Sequence, residues 1–339
     1  MRCFFKAVIV CCVVLFCKIA EADKTAATAN SAEMALAKKL LNMAPRIALD
    51  EKNVSSFEVY GCFDMGGLKL RFVIIGKKPD RTSLLVLDDR DKTPVLAGTG
   101  KAFMIYDPID SNILTGDGRA CFMLDSEDSV DDSGIPGKNL ELGFGVYSGG
   151  AEDTTNSAEK VSDENTTVIN IGAFMKMLTT NLTVTANGSA YILRGTTPRG
   201  NRAVCYIDPA SKTGPYKRVE LYMSDSPHPF LTLEKILINE PVADKQLRFP
   251  KDKLAETGLR LKKLKSKSML DIAALMASLM RSLMVRLALN SSDAELMKKI
   301  EGMMSGVKLD WEQMRQNDKK AAKSLRGVFR IMDVSVDDL

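Results

Sequence analysis

Phe57-Glu-Val-Tyr-Gly-Cys-Phe-Asp-Met-Gly-Gly67, continued through Pro108, is the stretch that decides how this chain is read. Apolar residues fall at every second position: Phe57, Val59, Gly61 and Phe63; Leu68, Leu70, Phe72 and Ile74; Leu84 and Val86; Ala102, Met104 and Tyr106. A period of two belongs to strands with one buried face. Met65-Gly66-Gly67 supplies glycines for a tight hairpin turn, and Lys78-Pro79-Asp80 and Pro108 punctuate the later joins. An antiparallel meander of about four strands is expected. The alternate positions Val73, Ile75, Leu85, Leu87, Phe103 and Ile105 are apolar as well. Two arrangements satisfy this pattern. Either both faces are covered, or the inner face lines an apolar hollow while the outer one packs under helices.

The meander sits in a chain of 339 residues with 45% hydrophobic and 27% charged side chains, a composition able to build a core. At the N-terminus Arg2 and Lys6 border an apolar run over residues 7–17, followed by Ala20-Glu-Ala22. That pattern reads as a signal peptide over residues 1–22 and implies export; eleven apolar residues are too few to span a bilayer. Cys62, Cys121 and Cys205 would remain, an odd number without CxxC spacing: either one disulfide and a leftover thiol, or three small buried apolar residues. The formal charge of +4 falls to +2 without the leader. Residues 251–339 hold 18 basic and 12 acidic side chains, net +6, leaving about −4 for residues 23–250. A near-neutral domain with a basic tail is not a nucleic-acid-binding profile.

Residues 31–43 pattern as a helix with Met34, Leu36, Leu40 and Leu41 on one stripe. Residues 125–132 carry five carboxylates, but Val130 occupies the place where a calcium loop needs glycine, so a solvated acidic loop is expected. Gly143-Phe-Gly-Val-Tyr-Ser-Gly149 lacks the third glycine of a dinucleotide loop, and Gly98-Thr-Gly-Lys101 fails as a phosphate loop. Residues 149–167 read as a flexible polar insertion and residues 168–178 as a short helix. Strands resume from residue 182 through an Asn187-Gly188 hairpin and end at a segment over 246–249. The tail then shows five basic residues among 260–267 and three helices: residues 268–289, one ending at Met304, and one from Asp310 to Arg326. The first has a wide apolar arc and a polar wedge of Asp271, Ser278, Arg281, Ser282 and Arg286. Asn290-Ser-Ser-Asp293 caps the second.

Val54-Ser-Ser-Phe57, Gly76-Lys-Lys-Pro-Asp-Arg81, Gly100-Lys-Ala-Phe-Met-Ile-Tyr-Asp-Pro108, Asn239-Glu-Pro241 and Leu247-Arg-Phe-Pro250, in that order, resemble the periplasmic lipoprotein-carrier family. The resemblance covers about residues 30–252. It implies an α+β fold: a strongly curved antiparallel half-barrel of about eleven strands with a helical lid, spanning residues 23–252, to which residues 253–339 add a basic, Met-rich helical extension. It also implies carriage of an acyl chain or lipoprotein in an apolar cavity, with no cofactor and no metal. Lys78 stands where the carriers use an arginine to hold the lid, and lysine lacks the planar fork that bridges several lid carbonyls. The expected lining is Phe57, Val59, Phe63, Leu70, Phe72, Ile74, Leu84, Val86, Met104 and Tyr106, with Lys78 as the lid contact.

The rival function is an envelope scaffold that docks a protein partner or an anionic membrane through its C-terminal helices. Catalysis has little to stand on in the sequence. His228 is the sole histidine, held in Ser226-Pro-His-Pro229; no Gly-x-Ser-x-Gly elbow occurs; and Asp107-Pro108 and Asp208-Pro209 read as turns.

Overall fold

Strand alternation and two glycine turns build the centre of the molecule. In this computed structural model, residues 31–44, 46–48, 52–64, 66–79, 81–99, 102–117, 119–125, 141–147, 168–170, 178, 180–198, 200–264, 269–291, 293–303 and 309–329 are described. The expected leader, most of the acidic loop and the insertion at 149–167 lie outside them. β2 (Ser56–Asp64) and β3 (Lys69–Lys77) pair antiparallel from Ser56↔Lys77 to Asp64↔Lys69, across a turn in which Gly66 and Gly67 take φ of 69° and 124°. β4 (Arg81–Asp88), β5 (Pro94–Thr99), β6 (Ala102–Asp107) and β7 (Asn112–Asp117) extend the meander. On the other side of β2 lie β15 (Pro229–Ile238), β14 (Tyr216–Tyr222), β13 (Arg202–Ile207), β12 (Ala190–Thr196) and β11 (Thr180–Asn187).

A further strand, β16 (Arg260–Leu264), pairs parallel with β7 and completes a twelve-stranded sheet. A smaller four-stranded sheet holds β1 (Arg46–Ala48), β10 (Val168–Asn170), β8 (Arg119–Asp125) and β9 (Glu141–Tyr147) in that spatial order. Helices α1 (Ser31–Asn42), α2 (Lys251–Ala255), α3 (Met269–Ser291), α4 (Ala294–Met303) and α5 (Trp311–Phe329), with a 3-10 turn at Asp244–Leu247, complete the described elements. No helix among the described residues is long and apolar enough to cross a membrane.

The expected strongly curved antiparallel half-barrel is overturned. The main sheet is mixed and open: its end strands, β11 and β16, do not pair with each other, and it is not strongly curled. The residues explain this. β3 is buried at every position from Phe72 to Gly76, and β4 from Thr82 to Asp88, so both faces of the central strands are covered. A sheet covered on both sides has no single hollow to wrap around.

Other differences are local. The segment expected as a strand over 246–249 contains the end of the 3-10 turn, whose Leu247 is buried. Val168–Asn170, expected to open a helix, is strand β10. The glycine-rich stretch near Gly143 lies in strand β9. The strand β16, from beyond the expected boundary at residue 252, belongs to the main sheet.

The first face of the main sheet gathers Phe57, Val59, Leu70, Phe72, Ile74, Leu84 and Val86, joined by Leu193, Cys205, Val219 and Ile236 from the second half of the sheet. Phe72 lies over Gly61 of the neighbouring strand: a Cβ there would come within 2.4 Å of the Phe72 ring and 2.6 Å of the Thr232 carbonyl oxygen. Glycine at this position makes room for the aromatic ring. The second face gathers Val73, Ile75, Leu85, Leu87, Met104 and Tyr106 under Leu247, Leu254, Leu325, Val328 and Phe329.

Candidate functional site

Eight of the ten expected lining residues share the first face. Phe57, Val59, Leu70, Phe72, Ile74, Leu84 and Val86 are buried there, and Phe63 packs half-buried at the margin with its ring centroid 4.9 Å from that of Phe72. Met104 and Tyr106 are on the opposite face, and this corrects the expectation. The pairing Leu85↔Ala97↔Met104 places Met104 with Leu85, while Val86↔Leu96↔Ile105 places Ile105 with Val86. Residues 102–106 are all apolar, so alternation could not choose a face; the β5–β6 connection did.

α1 covers the first face. Ala37 and Leu40 are fully buried against the sheet, and Met34, Leu36 and Leu41 pack partly buried around them. Polar contacts anchor the helix at both ends. The Tyr216 hydroxyl donates to the Leu40 carbonyl oxygen at 2.9 Å, a second bond to an oxygen that also accepts from the Met43 backbone N–H at 3.1 Å. The Val184 backbone N–H donates to Glu33 Oε1 at 3.0 Å, which fixes the other end. Leu283 and Leu287 of α3 pack at the border of the same cluster.

Toward β5–β7 the same face is covered by α3, whose Leu279 packs with Leu96 and Ile105, and this cover is fastened by buried charge at Asp88, which lies opposite Leu70 and in line with Leu84 and Val86. Arg286, on α3 and 1% exposed, donates through Nη1 to Asp88 Oδ2 at 3.0 Å and through Nη2 to Asp318 Oδ1 at 2.7 Å. Its guanidinium lies 5.2 Å from the Tyr106 ring centroid. Asp88 also accepts from Asn290 Nδ2 at 3.1 Å and from the Arg90 backbone N–H at 3.1 Å. One turn back along α3, the Ser282 hydroxyl donates to the Tyr106 carbonyl oxygen at 2.6 Å and Arg281 pairs with the fully buried Asp107. These bonds tie α3 to β4, β6 and α5. The polar wedge predicted for this helix is therefore turned inward at Arg281, Ser282 and Arg286, a constellation that sequence reading missed.

Burial pushes both Asp107 and Asp318 above the ordinary carboxylate range, against the pull of Arg281 and Arg286 respectively. On Asp89, partial burial acts in the same direction, but hydrogen bonds from Arg71 and Lys92 outweigh it and hold the carboxyl low. The signs for stability are opposite. A carboxyl raised in the folded state binds its proton more tightly there than in the unfolded chain. Asp107 and Asp318 therefore cost stability as pH rises above about 3.9 through their folded values. Asp89 contributes stability that is lost as pH falls below about 3.9. Urea unfolding of Asp318→Asn, followed upward from about pH 4, is expected to show a shallower decline of stability with pH than the wild type. An unchanged slope would show that Asp318 does not bind extra protons on folding.

The motifs shared with the carrier pattern turn out to be a structural buckle. Asn239, at φ 64°, accepts from the Ser55 backbone N–H at 2.8 Å and donates to the Asn53 carbonyl oxygen at 2.7 Å. The Ser56 hydroxyl donates to the Glu240 carbonyl oxygen at 2.7 Å. Lys77 reaches the following segment, donating to the Val242 carbonyl oxygen at 2.9 Å and to Asp244 at 2.8 Å. Lys78 donates its backbone N–H to the Ser55 carbonyl oxygen at 2.9 Å.

Other sequence candidates have structural roles. Asp107 and Asp208 accept from backbone N–H groups two residues ahead, as turn carboxylates do. Cys62 and Cys205 are free thiols; burial pushes the Cys62 thiol up to about 11 and raises Cys205 as well. The side chain of Cys121 is outside the described set. His228 is exposed in its turn. Among the described residues no group of three or more histidine, cysteine, aspartate or glutamate side chains could hold a metal.

Fold and site together define an open mixed sheet with helices on both faces, the first under α1 and the ion-paired α3 and the second under α5. No protein-family model matches the chain, and no curated protein matches it. Among solved structures, an uncharacterized conserved protein from Thermus thermophilus is similar at 11% identity and a TM-score of 0.30, over 67% of this chain and 99% of that one. A LolA superfamily protein from Nitrosomonas europaea is similar at 8% identity and a TM-score of 0.21, over 65% of this chain and 98% of that one. Both likenesses are weak and partial.

Proposed function

We propose that this chain is a non-enzymatic binder of an acyl chain, as free lipid or as the anchor of a lipoprotein, in the cell envelope. The ligand lies on the first face of the main sheet, in contact with Phe57, Val59, Leu70, Phe72, Ile74, Leu84, Val86 and, at the margin, Phe63. α1 is the movable cover.

The observation that carries this reading is the contrast between the two covers. α1 is a twelve-residue helix whose described polar contacts, among them Tyr216 to Leu40 and Val184 to Glu33, include no buried ion pair. α3 and α5 are held by Arg286, whose two carboxylate partners and own side chain are almost wholly buried. Lifting α1 uncovers apolar surface without stranding a buried charge. Lifting α3 strands several. The energetics suit an acyl ligand: at about 0.8 kcal/mol per buried CH₂, a chain of about a dozen methylenes offers roughly 10 kcal/mol before ordering costs. That suffices to displace Leu40 and its partly buried neighbours, each worth about 1.5–3 kcal/mol when fully buried.

Tyr216→Phe tests the cover. Tyr216 is fully buried, so the variant keeps its packing and loses only the bond to Leu40. The expected result is a loss of about 1 kcal/mol in stability together with faster uptake of a fluorescent fatty acid. Uptake at the wild-type rate, with the stability loss present, would show that α1 does not gate the face.

A further inference from the structure

The two ends of the main sheet differ. β11, with the sequence Thr-Asn-Leu-Thr-Val-Thr-Ala-Asn, carries no charge. β16, Arg-Leu-Lys-Lys-Leu, is strongly basic and pairs with β7 along its length, from Arg260↔Asn112 to Leu264↔Gly116. Among the described strands nothing pairs with its outer side. Arg260, Leu261, Lys262 and Lys263 are all exposed. Because successive side chains of a strand point to opposite faces, four exposed residues in a row mean that β16 projects beyond both helical layers. Leu261 is 42% exposed, one of two large apolar side chains in that condition among the described residues.

An edge strand in a parallel pair directs alternate backbone N–H and C=O groups away from its neighbour, and such groups template a further strand. The charges decide which strand. Three cations in four residues repel a second copy of the same edge, the usual protection against self-pairing. They do not repel a strand bearing carboxylates, and an acidic segment would bring its charges beside Arg260 and Lys262 as its backbone pairs.

We infer that β16 is a docking edge for an extended acidic segment of a partner protein, which adds a thirteenth strand to the main sheet. The backbone of the segment supplies the pairing, its alternate carboxylates meet Arg260 and Lys262, and a small apolar side chain covers Leu261. This site is separate from the acyl face, so either can fail without the other.

The test uses the chain from Asp23 onward and fluorescence anisotropy with three labelled peptides: alternating threonine and glutamate, the same peptide N-methylated at alternate amides, and alternating threonine and lysine. Anionic phosphatidylglycerol vesicles are the fourth probe. The acidic peptide is expected to bind, N-methylation to weaken it at least about tenfold, and the lysine peptide not to bind. Arg260→Glu with Lys262→Glu is expected to weaken the acidic peptide by a similar factor; both side chains are exposed, and circular dichroism checks that the fold is kept. Equal binding of the N-methylated peptide would overturn strand pairing in favour of plain charge attraction. Wild-type affinity in the double variant, or capture of the vesicles in preference to the peptide, would overturn the site itself.

Discussion

Arg286→Ala is expected to destabilise the protein by about 3–5 kcal/mol, the cost of breaking a buried ion pair by removing one partner. Domains of ordinary size are stable by only about 5–15 kcal/mol, so the variant should sit close to unfolding at 25 °C. The cost has a definite origin. Without the guanidinium, Asp88 and Asp318 are left facing each other under α3, both out of water. One of them must take up a proton or the helices must part. This predicts a sign reversal in a double-mutant cycle. In the wild type, Asp318→Asn removes one of two partners of Arg286. In an Arg286→Met background, the same Asp318→Asn removes an uncompensated charge and should stabilise. Equilibrium urea unfolding of the four proteins measures the coupling. Simple additivity would mean that the cluster is not held as described.

The second large effect concerns the C-terminal helices. Ending the chain after Leu264 removes α3, α4 and α5, and with them Leu325, Val328 and Phe329 from the second face. At about 1.5–3 kcal/mol for each fully buried large side chain, those three alone account for roughly 4–9 kcal/mol, comparable with the whole stability of a domain. The shortened chain is expected to aggregate, with loss of the cooperative unfolding transition. A soluble, cooperatively folding product would contradict this packing and would return the helices to the role of a free docking module. The structure opposes that role on a specific point: Val285, Ala288, Leu289 and Met314 are buried, with Ile300 of α4 among them, so these helices bury apolar side chains against one another.

How far the sequence could be read depended on whether the signal was local. β2, β3 and β4 were legible because alternation and Gly66-Gly67 agree, and the β11–β12 hairpin because Asn187-Gly188 supplies the turn, with Gly188 at φ 61°. α5 was expected from Asp310 onward, and the Asp310 carboxylate caps it by accepting from the Gln313 backbone N–H at 2.9 Å. The face of β6 was not, because a run with apolar residues at every position has no phase. Nor was β16: lysines disfavour a strand, and only its pairing with β7, far away in sequence, makes it one. The Arg286 cluster was hidden for the same reason, since Asp88 is 198 residues distant. The sequence showed a polar wedge on an otherwise apolar helix without its partners, and Arg281, Ser282 and Arg286 of that wedge meet the sheet. The half-barrel followed from counting strands and from the carrier resemblance, whereas the short motifs behind that resemblance fasten β2 to β15 and do not enforce closure.

The acyl-binding reading stands or falls on whether the first face takes up lipid. The most direct measurement is native mass spectrometry of the chain from Asp23 onward, purified gently, followed by organic extraction of whatever travels with it. The account predicts a mass above that of the polypeptide, resolved by extraction into a lipid or an acylated peptide, and in Tyr216→Phe a faster exchange of that mass with added fatty acid. A bare polypeptide mass that also fails to shift on incubation with fatty acid would contradict it, and would leave the first face as the packed core under α1.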